Sequence, residues 1–250
     1  MFKQMPNLNK NVVDWNLRIG KCFDTHGRDK TTTMKATTLL SAVALATACV
    51  GSAFGAVTSQ NIVGYIKLSL TKGYNLVANQ LNNGDNTVVT VFSGLPADGK
   101  TTAFKWNGRG YDTSTYYAAG DGGWDDPTLT AAPGDGVFIY VASPATVTLV
   151  GEVSLNTTVN LIKGFSLVSS PIPVAGALTD SATVAFDKVA DGDVYFQWGP
   201  SGFEVNGFTA IDGNPVNEWD AGEPPTLKVG EGFFVKKNTA VAWTRTFSVN

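Results

Sequence analysis

The sequence predicts an all-β protein: two tandem repeated modules, each an antiparallel β-sandwich or barrel-like unit, behind a secretory signal peptide. Three observations carry this. Short runs with period-2 alternation of apolar and polar residues recur along the chain, as in Ile62, Gly64, Ile66, Leu68 and Leu70 against Val63, Tyr65, Lys67 and Ser69. Clusters of Gly, Asn, Asp and Pro punctuate those runs at close spacing, which is turn chemistry. A stretch of ten residues, Leu70-Thr71-Lys72-Gly73-Tyr74-Asn75-Leu76-Val77-Ala78-Asn79, returns as Leu161-Ile162-Lys163-Gly164-Phe165-Ser166-Leu167-Val168-Ser169-Ser170. Composition agrees: 27 Gly, 43% hydrophobic and only 16% charged residues in 250 suit strands and turns better than helices.

The first 55 residues do not carry the fold pattern. Met34-Lys35 is a short basic start, Thr37 to Val50 is small and apolar, and Ser52-Ala53-Phe54-Gly55-Ala56 supplies the small side chains that signal peptidase reads. Residues 34–55 are therefore read as a secretory signal peptide. The competing reading, an uncleaved membrane anchor, asks for a longer and bulkier apolar run. Residues 1–33 are polar and aperiodic, and are read as an upstream extension: a start placed too early, with Met34 the true one, or a disordered segment. Module 1 then spans 56–152 and module 2 spans 153–250.

The elements follow in order. The alternating strand Ile62–Leu70 meets Lys72-Gly73, which turns the chain into a second strand, Tyr74 to Leu81, expected to bury its Tyr74/Leu76 face. Asn82-Asn83-Gly84-Asp85-Asn86 is a loop. Thr87 to Phe92 is apolar and β-branched, compatible with a strand or one helical turn. Thr102–Trp106 and Tyr111–Tyr117 flank Asn107-Gly108-Arg109-Gly110, a hairpin signal. Trp124 sits in a loop among Asp and Gly, Val137–Val141 is an apolar strand, and Thr146–Val153 closes the module.

The same landmarks recur downstream. Ala97-Asp98-Gly99 returns as Ala190-Asp191-Gly192, Phe104-Lys105-Trp106 as Phe196-Gln197-Trp198, Tyr111 as Phe203, Trp124 as Trp219, and Gly134-Asp135-Gly136-Val137-Phe138 as Gly230-Glu231-Gly232-Phe233-Phe234. The offset drifts only from 91 to 96, through small insertions in turns. No linker separates the copies, so one pseudo-symmetric domain is the alternative to two tandem ones. The set G-[YF]-x-L-V, [FY]-x-W and G-[DE]-G-x-F resembles modules of exported bacterial proteins of uncharacterised function, over nearly all of residues 60–250. The resemblance implies export, β-architecture and a non-catalytic role, and brings no site residue with it.

Several chemistries are excluded by residue type. The only cysteines, Cys22 and Cys49, and the only histidine, His26, precede the cleavage point. The mature chain thus has no disulfide, no imidazole base for a nucleophilic triad and no His/Cys zinc site. Seven of 18 basic and three of 21 acidic residues fall in the leader, leaving the mature chain at a formal charge of −7, a poor match for nucleic acid. The carboxylates Glu204, Glu218, Glu223, Glu231, Asp212 and Asp220 show no spacing that pairs them for glycoside chemistry. Calcium is the metal that the acidic loop Asp121, Asp125 and Asp126 would suit, with Asp191 and Asp193 a second cluster. Among the aromatics, Trp124 and Trp219 lie in polar loops and are expected to be exposed; with Tyr116 and Tyr117 they are the candidates for stacking on a sugar.

The expectation is a secreted, periplasmic or cell-surface protein of structural or adhesive function and no enzymatic activity, with no membrane association after signal cleavage. Its partners would be further copies of itself, as an oligomer or head-to-tail filament, or a surface polysaccharide. The filament reading rests on Ile62–Leu70 and Val241–Val249, the two ends equivalent to the internal junction 146–161, being unpaired edges.

Overall fold

Every ladder in the computed structural model is antiparallel. It describes residues 62–118, 120, 122–210 and 218–248; the signal segment and the upstream extension lie outside them. The first half contains β1 (Val63–Leu70), β2 (Gly73–Ala78), α1 (Val88–Val91), β3 (Thr102–Trp106), β4 (Tyr111–Thr115), β5 (Gly136–Val141) and β6 (Ala145–Glu152). The second contains β7 (Asn156–Leu161), β8 (Gly164–Ser169), β9 (Gly176–Ala177), β10 (Asp193–Gly199), β11 (Gly202–Thr209), β12 (Glu218–Trp219), β13 (Thr226–Leu227), β14 (Gly232–Lys237) and β15 (Val241–Thr246). Thr87–Phe92, compatible with strand or helix, forms the helical turn α1, which buries Val88 and Val91.

The pairing pattern of the first half occurs again in the second. A sheet β2-β5-β3-β4 and a ribbon β1-β6 correspond to β8-β14-β10-β11, extended by β12, and to β7-β15. The ribbon and the sheet are continuous. Leu70 pairs with Ala145, and the next paired residues are Gly73 with Val141. Lys72-Gly73 is therefore a corner within one long ribbon, and β1 and β2 do not pair with each other. The repeated motif is built for that corner. Gly73 and Gly164 hold φ at +101° and +99°, where a side chain is strained. Two residues on, a polar side chain ties the bend: the Thr71 amide donates to Asn75 Oδ1 at 2.9 Å, and the Ile162 amide to Ser166 Oγ at 3.0 Å.

Folding over at the corner encloses a core. In the first half, Ile66, Leu68, Leu70, Val147 and Leu149 from the ribbon meet Val77, Val137, Ile139 and Val141 from the sheet. In the second, Val159, Leu161 and Trp243 meet Val168, Phe233 and Val235. Each such side chain, fully buried, stabilises the fold by roughly 1.5–3 kcal/mol before entropy is counted.

This pairing defines the two end strands of the filament reading. β1 is paired to β6 along all eight residues, and β15 to β7 along all six. Each ribbon has two strands, so β1 and β15 each have one partnered edge and one outer edge.

The halves meet through reciprocal contacts. Ala78 N–H donates to Gly230 O, and Ser169 N–H to Gly134 O, both at 2.9 Å. Isolated bridges join Val77 to Glu231 and Asp135 to Val168. Each of these pairs maps onto the other under the sequence repeat, so the seam has an approximate two-fold character. The described residues group as one compact unit.

Candidate binding surface

Residues directly opposite across a ladder share a face of the sheet. In the first half the register aligns Tyr74 with Tyr140, Leu76 with Phe138 and Phe104, and Trp106 with Tyr111. In the second it aligns Phe165 with Lys236, Leu167 with Phe234 and Phe196, and Trp198 with Phe203. Each sheet thus turns one face to its own core and presents a second face rich in aromatic residues. The two aromatic faces converge at the seam, where Leu76, Phe138, Leu167 and Phe234 are buried together and Phe104, Trp106, Phe196 and Trp198 pack against them.

The tryptophans clasp the seam. Trp106 Nε1–H donates to Phe165 O, and Trp198 Nε1–H to Tyr74 O, each at 2.9 Å. Their rings meet the opposite half edge-on: Trp106 to Phe234 at 5.6 Å and 81°, Trp198 to Phe138 at 5.3 Å and 89°. Such aromatic pairs contribute about 0.5–1.5 kcal/mol each beyond area burial.

The outer part of this surface is open. Tyr74 is 50% exposed, Tyr111 42% and Phe203 44%. A cleft of about 270 Å³ lies between the halves, lined by Trp106, Tyr111, Phe165, Phe196, Phe203 and Phe234. Burial raises the Tyr111 phenol above its ordinary range, so it stays a neutral donor at physiological pH. Two larger clefts flank it, about 690 and 460 Å³, each between the corner of one half and the hairpin of the other.

The central cleft is chemically plain. Both indole donors are occupied by carbonyls, and the Tyr111 hydroxyl is the polar side-chain group of the lining. The acids of the G-[DE]-G motif are turn staples. Asp135 Oδ2 accepts from the Ala132 amide at 2.9 Å and from Lys105 Nζ at 2.8 Å. Glu231 Oε2 accepts from the Lys228 amide at 2.9 Å, and its Oε1 from Gln197 Nε2 at 3.4 Å.

The residues expected from sequence to form a site lie elsewhere. Trp124 and Trp219, expected to be exposed, are buried at 4% and 8% exposure. Trp124 stacks on Tyr116 with centroids 4.7 Å apart and rings 2° from parallel, because its loop folds back over the first core. Trp219 stands on the short strand β12 and packs against Tyr195 and Phe208. Tyr117 is partly exposed, and its amide donates to Gly123 O at 2.7 Å. Asp121 lies outside the described residues. Asp125 Oδ1 accepts from the Thr115 amide at 2.7 Å, and Asp126 Oδ1 from the amide and hydroxyl of Thr128 at 2.9 and 2.6 Å. These two carboxylates fasten their own loop. Asp193, placed by sequence in an acidic cluster, is instead enclosed in the second core. Among the described residues, no group of three or more His, Cys, Asp or Glu side chains is arranged to hold a metal ion. Among the same residues, no helix is long and apolar enough to cross a membrane.

Strand alternation carried the signal for the aromatic surface. Phe104/Trp106, Phe196/Trp198 and Phe138/Tyr140 are spaced by two, so each pair shares a face. No protein-family model, characterised protein or solved structure matches the chain.

Proposed function

We propose that the protein is a secreted, non-enzymatic structural component that assembles with further copies of itself through the aromatic surface at its seam. The observation that carries this reading is the cleft of six aromatic residues shared by both halves, with Tyr74, Tyr111 and Phe203 open around it. An exposed apolar surface of this kind marks an interaction site. Its lining favours an apolar occupant over a sugar, whose hydroxyls need partners that the two occupied indoles do not offer. A second copy presents a surface of the same chemistry. The leader supports export, and the absence of His and Cys from the mature sequence supports a role without nucleophilic or zinc chemistry.

Sedimentation of the purified protein over a range of concentrations tests this. The expected result is a dimer or larger assembly that dissociates when Tyr111→Ser and Phe203→Ser are combined. A monomer at every concentration overturns it. Quenching of tryptophan fluorescence by a soluble polysaccharide, lost in the same double variant, would replace self-assembly with carbohydrate binding.

A further inference from the structure

The second core contains a lysine and an aspartate. β10 and β14 are neighbours, with Val194 opposite Lys236, so Asp193 and Lys237 project from adjacent strands into the same interior. Their side chains are 0% and 1% exposed. Lys237 Nζ contacts Asp193 Oδ2 and the carbonyl oxygen of Lys188. Asp193 Oδ2 also accepts from the Ala190 amide at 2.8 Å and from the Tyr195 hydroxyl at 3.3 Å. Asp193 Oδ1 is buried with no hydrogen-bond partner.

As an ion pair this arrangement is costly. Desolvation of two charges can exceed their attraction, and a buried carboxylate oxygen without a donor adds to the cost. The fold does not require it, since Val141 and Thr101 hold the equivalent places in the first half.

We propose that Lys237 and Asp193 are joined by an intramolecular isopeptide bond. The two groups condense without any co-reactant. A proton passes from Nζ to the Asp193 carboxylate, and the freed amine attacks Cγ. The Tyr195 hydroxyl and the Ala190 amide stabilise the negative charge that develops on Oδ2. Burial, reinforced by the neighbouring Asp193 carboxylate, holds the Tyr195 phenol protonated far above its ordinary range, so it remains a donor. Collapse of the intermediate re-forms the Cγ–Oδ2 double bond and breaks the bond from Cγ to Oδ1. Nζ enters with three hydrogens and keeps one; the other two leave with Oδ1 as water.

The product satisfies every polar atom at the site. The amide N–H donates to Lys188 O, and the amide oxygen accepts from Ala190 and Tyr195. The atom expelled is the one that had no partner. The bond would tie β14 to β10 across 44 residues of chain, constraining the unfolded state as a disulfide does. An exported chain whose cysteines all lie in its leader has no disulfide to serve that purpose.

Mass spectrometry of the purified full chain tests the proposal independently of any assembly. Peptide mapping is expected to find the fragments containing Asp193 and Lys237 joined, one water lighter than their sum, with no tryptic cleavage at Lys237. Lys237→Met and Asp193→Ala should return separate fragments of full mass. Asp193→Asn should still link, with loss of ammonia in place of water. Separate fragments of full mass from the folded wild-type protein overturn the proposal, whatever the variants do.

Discussion

The two halves repeat a ladder pattern around differently filled cores. Beneath its sheet the first half places Thr101, Ala103, Val141 and Val147, and completes the volume with Val88, Val91 and Phe92 from α1 and its end. At the corresponding positions the second half places Asp193, Tyr195, Lys237 and Trp243, with Phe186 packed against the last at 4.9 Å. Small side chains plus a helical turn are exchanged for large side chains on the strands themselves. Cores accept such exchanges when total volume and pattern are kept. The seam shows the opposite behaviour: its clasping tryptophans, corner glycines and crossing amides occur in both halves. There each contact is made twice, once from either half, so the same residue types are needed on both sides.

That contrast can be broken most strongly at Lys237. Lys237→Ala leaves the Asp193 carboxylate buried without its cation and is expected to cost at least about 3–5 kcal/mol, against about 2 kcal/mol for Val141→Ala in the first half. Combining Lys237→Val with Asp193→Thr, which gives the second half the composition of the first, should recover most of the loss. Denaturant unfolding reads all three. Trp243→Ala is expected to cost about 3–5 kcal/mol and its counterpart Val147→Ala about half that, by the same measurement.

The seam should respond evenly. A Cβ on Gly134 would stand 2.6 Å from Val159 Cγ2, and one on Gly230 would meet Leu68 Cδ2; both glycines have positive φ. Gly134→Ala and Gly230→Ala are each expected to cost about 1–3 kcal/mol, and markedly unequal losses in thermal unfolding would show that the two sides do not carry equal weight. Trp106→Phe and Trp198→Phe each remove one cross-seam hydrogen bond and should cost about 0.5–1.5 kcal/mol apiece.

The smallest expected effect is electrostatic and lies in the first half. The Thr90 hydroxyl and the Thr87 amide hold the Asp85 carboxyl below its ordinary value. At Asp98, partial desolvation is outweighed by the amides of Thr101 and Lys100; at Asp126, the Thr128 hydroxyl leads. Groups lowered in the folded state stabilise it above their unfolded value, and the contribution is lost as pH falls through the folded value. Melting temperature should therefore decline on acidification below about pH 4, and Asp98→Asn should flatten that decline slightly.

Much of the fold was legible in sequence because strands and turns are local. Alternation located β1, apolar and β-branched runs between turns located β2, β5 and β6, Asn107-Gly108-Arg109-Gly110 located the β3–β4 hairpin, and the spacing of landmarks anticipated the repeated pairing pattern. The candidate surface was less legible. Trp124 and Trp219 stand among Asp and Gly, which suggests exposure, yet a loop that closes over a core buries its aromatic anchor. Trp106 and Trp198 stand on strands, which suggests burial, yet they lie where two sheet faces meet and partly open to solvent.

By itself the amino-acid sequence determined the all-β class, the recurrence of its landmarks, the glycine turns and a stretch without Cys or His after residue 49. Each follows from local sterics, from the period of two along a strand, or from composition. Tertiary structure alone decided that Lys72-Gly73 is a bend in a ribbon, that β1 pairs with β6 and β15 with β7, that Asp193 meets Lys237, and that the two aromatic faces converge. The reason is that alternation states which residues share a face but not what covers that face. For a strand such as Gly136–Val141, apolar on both sides, that depends on residues distant in the chain.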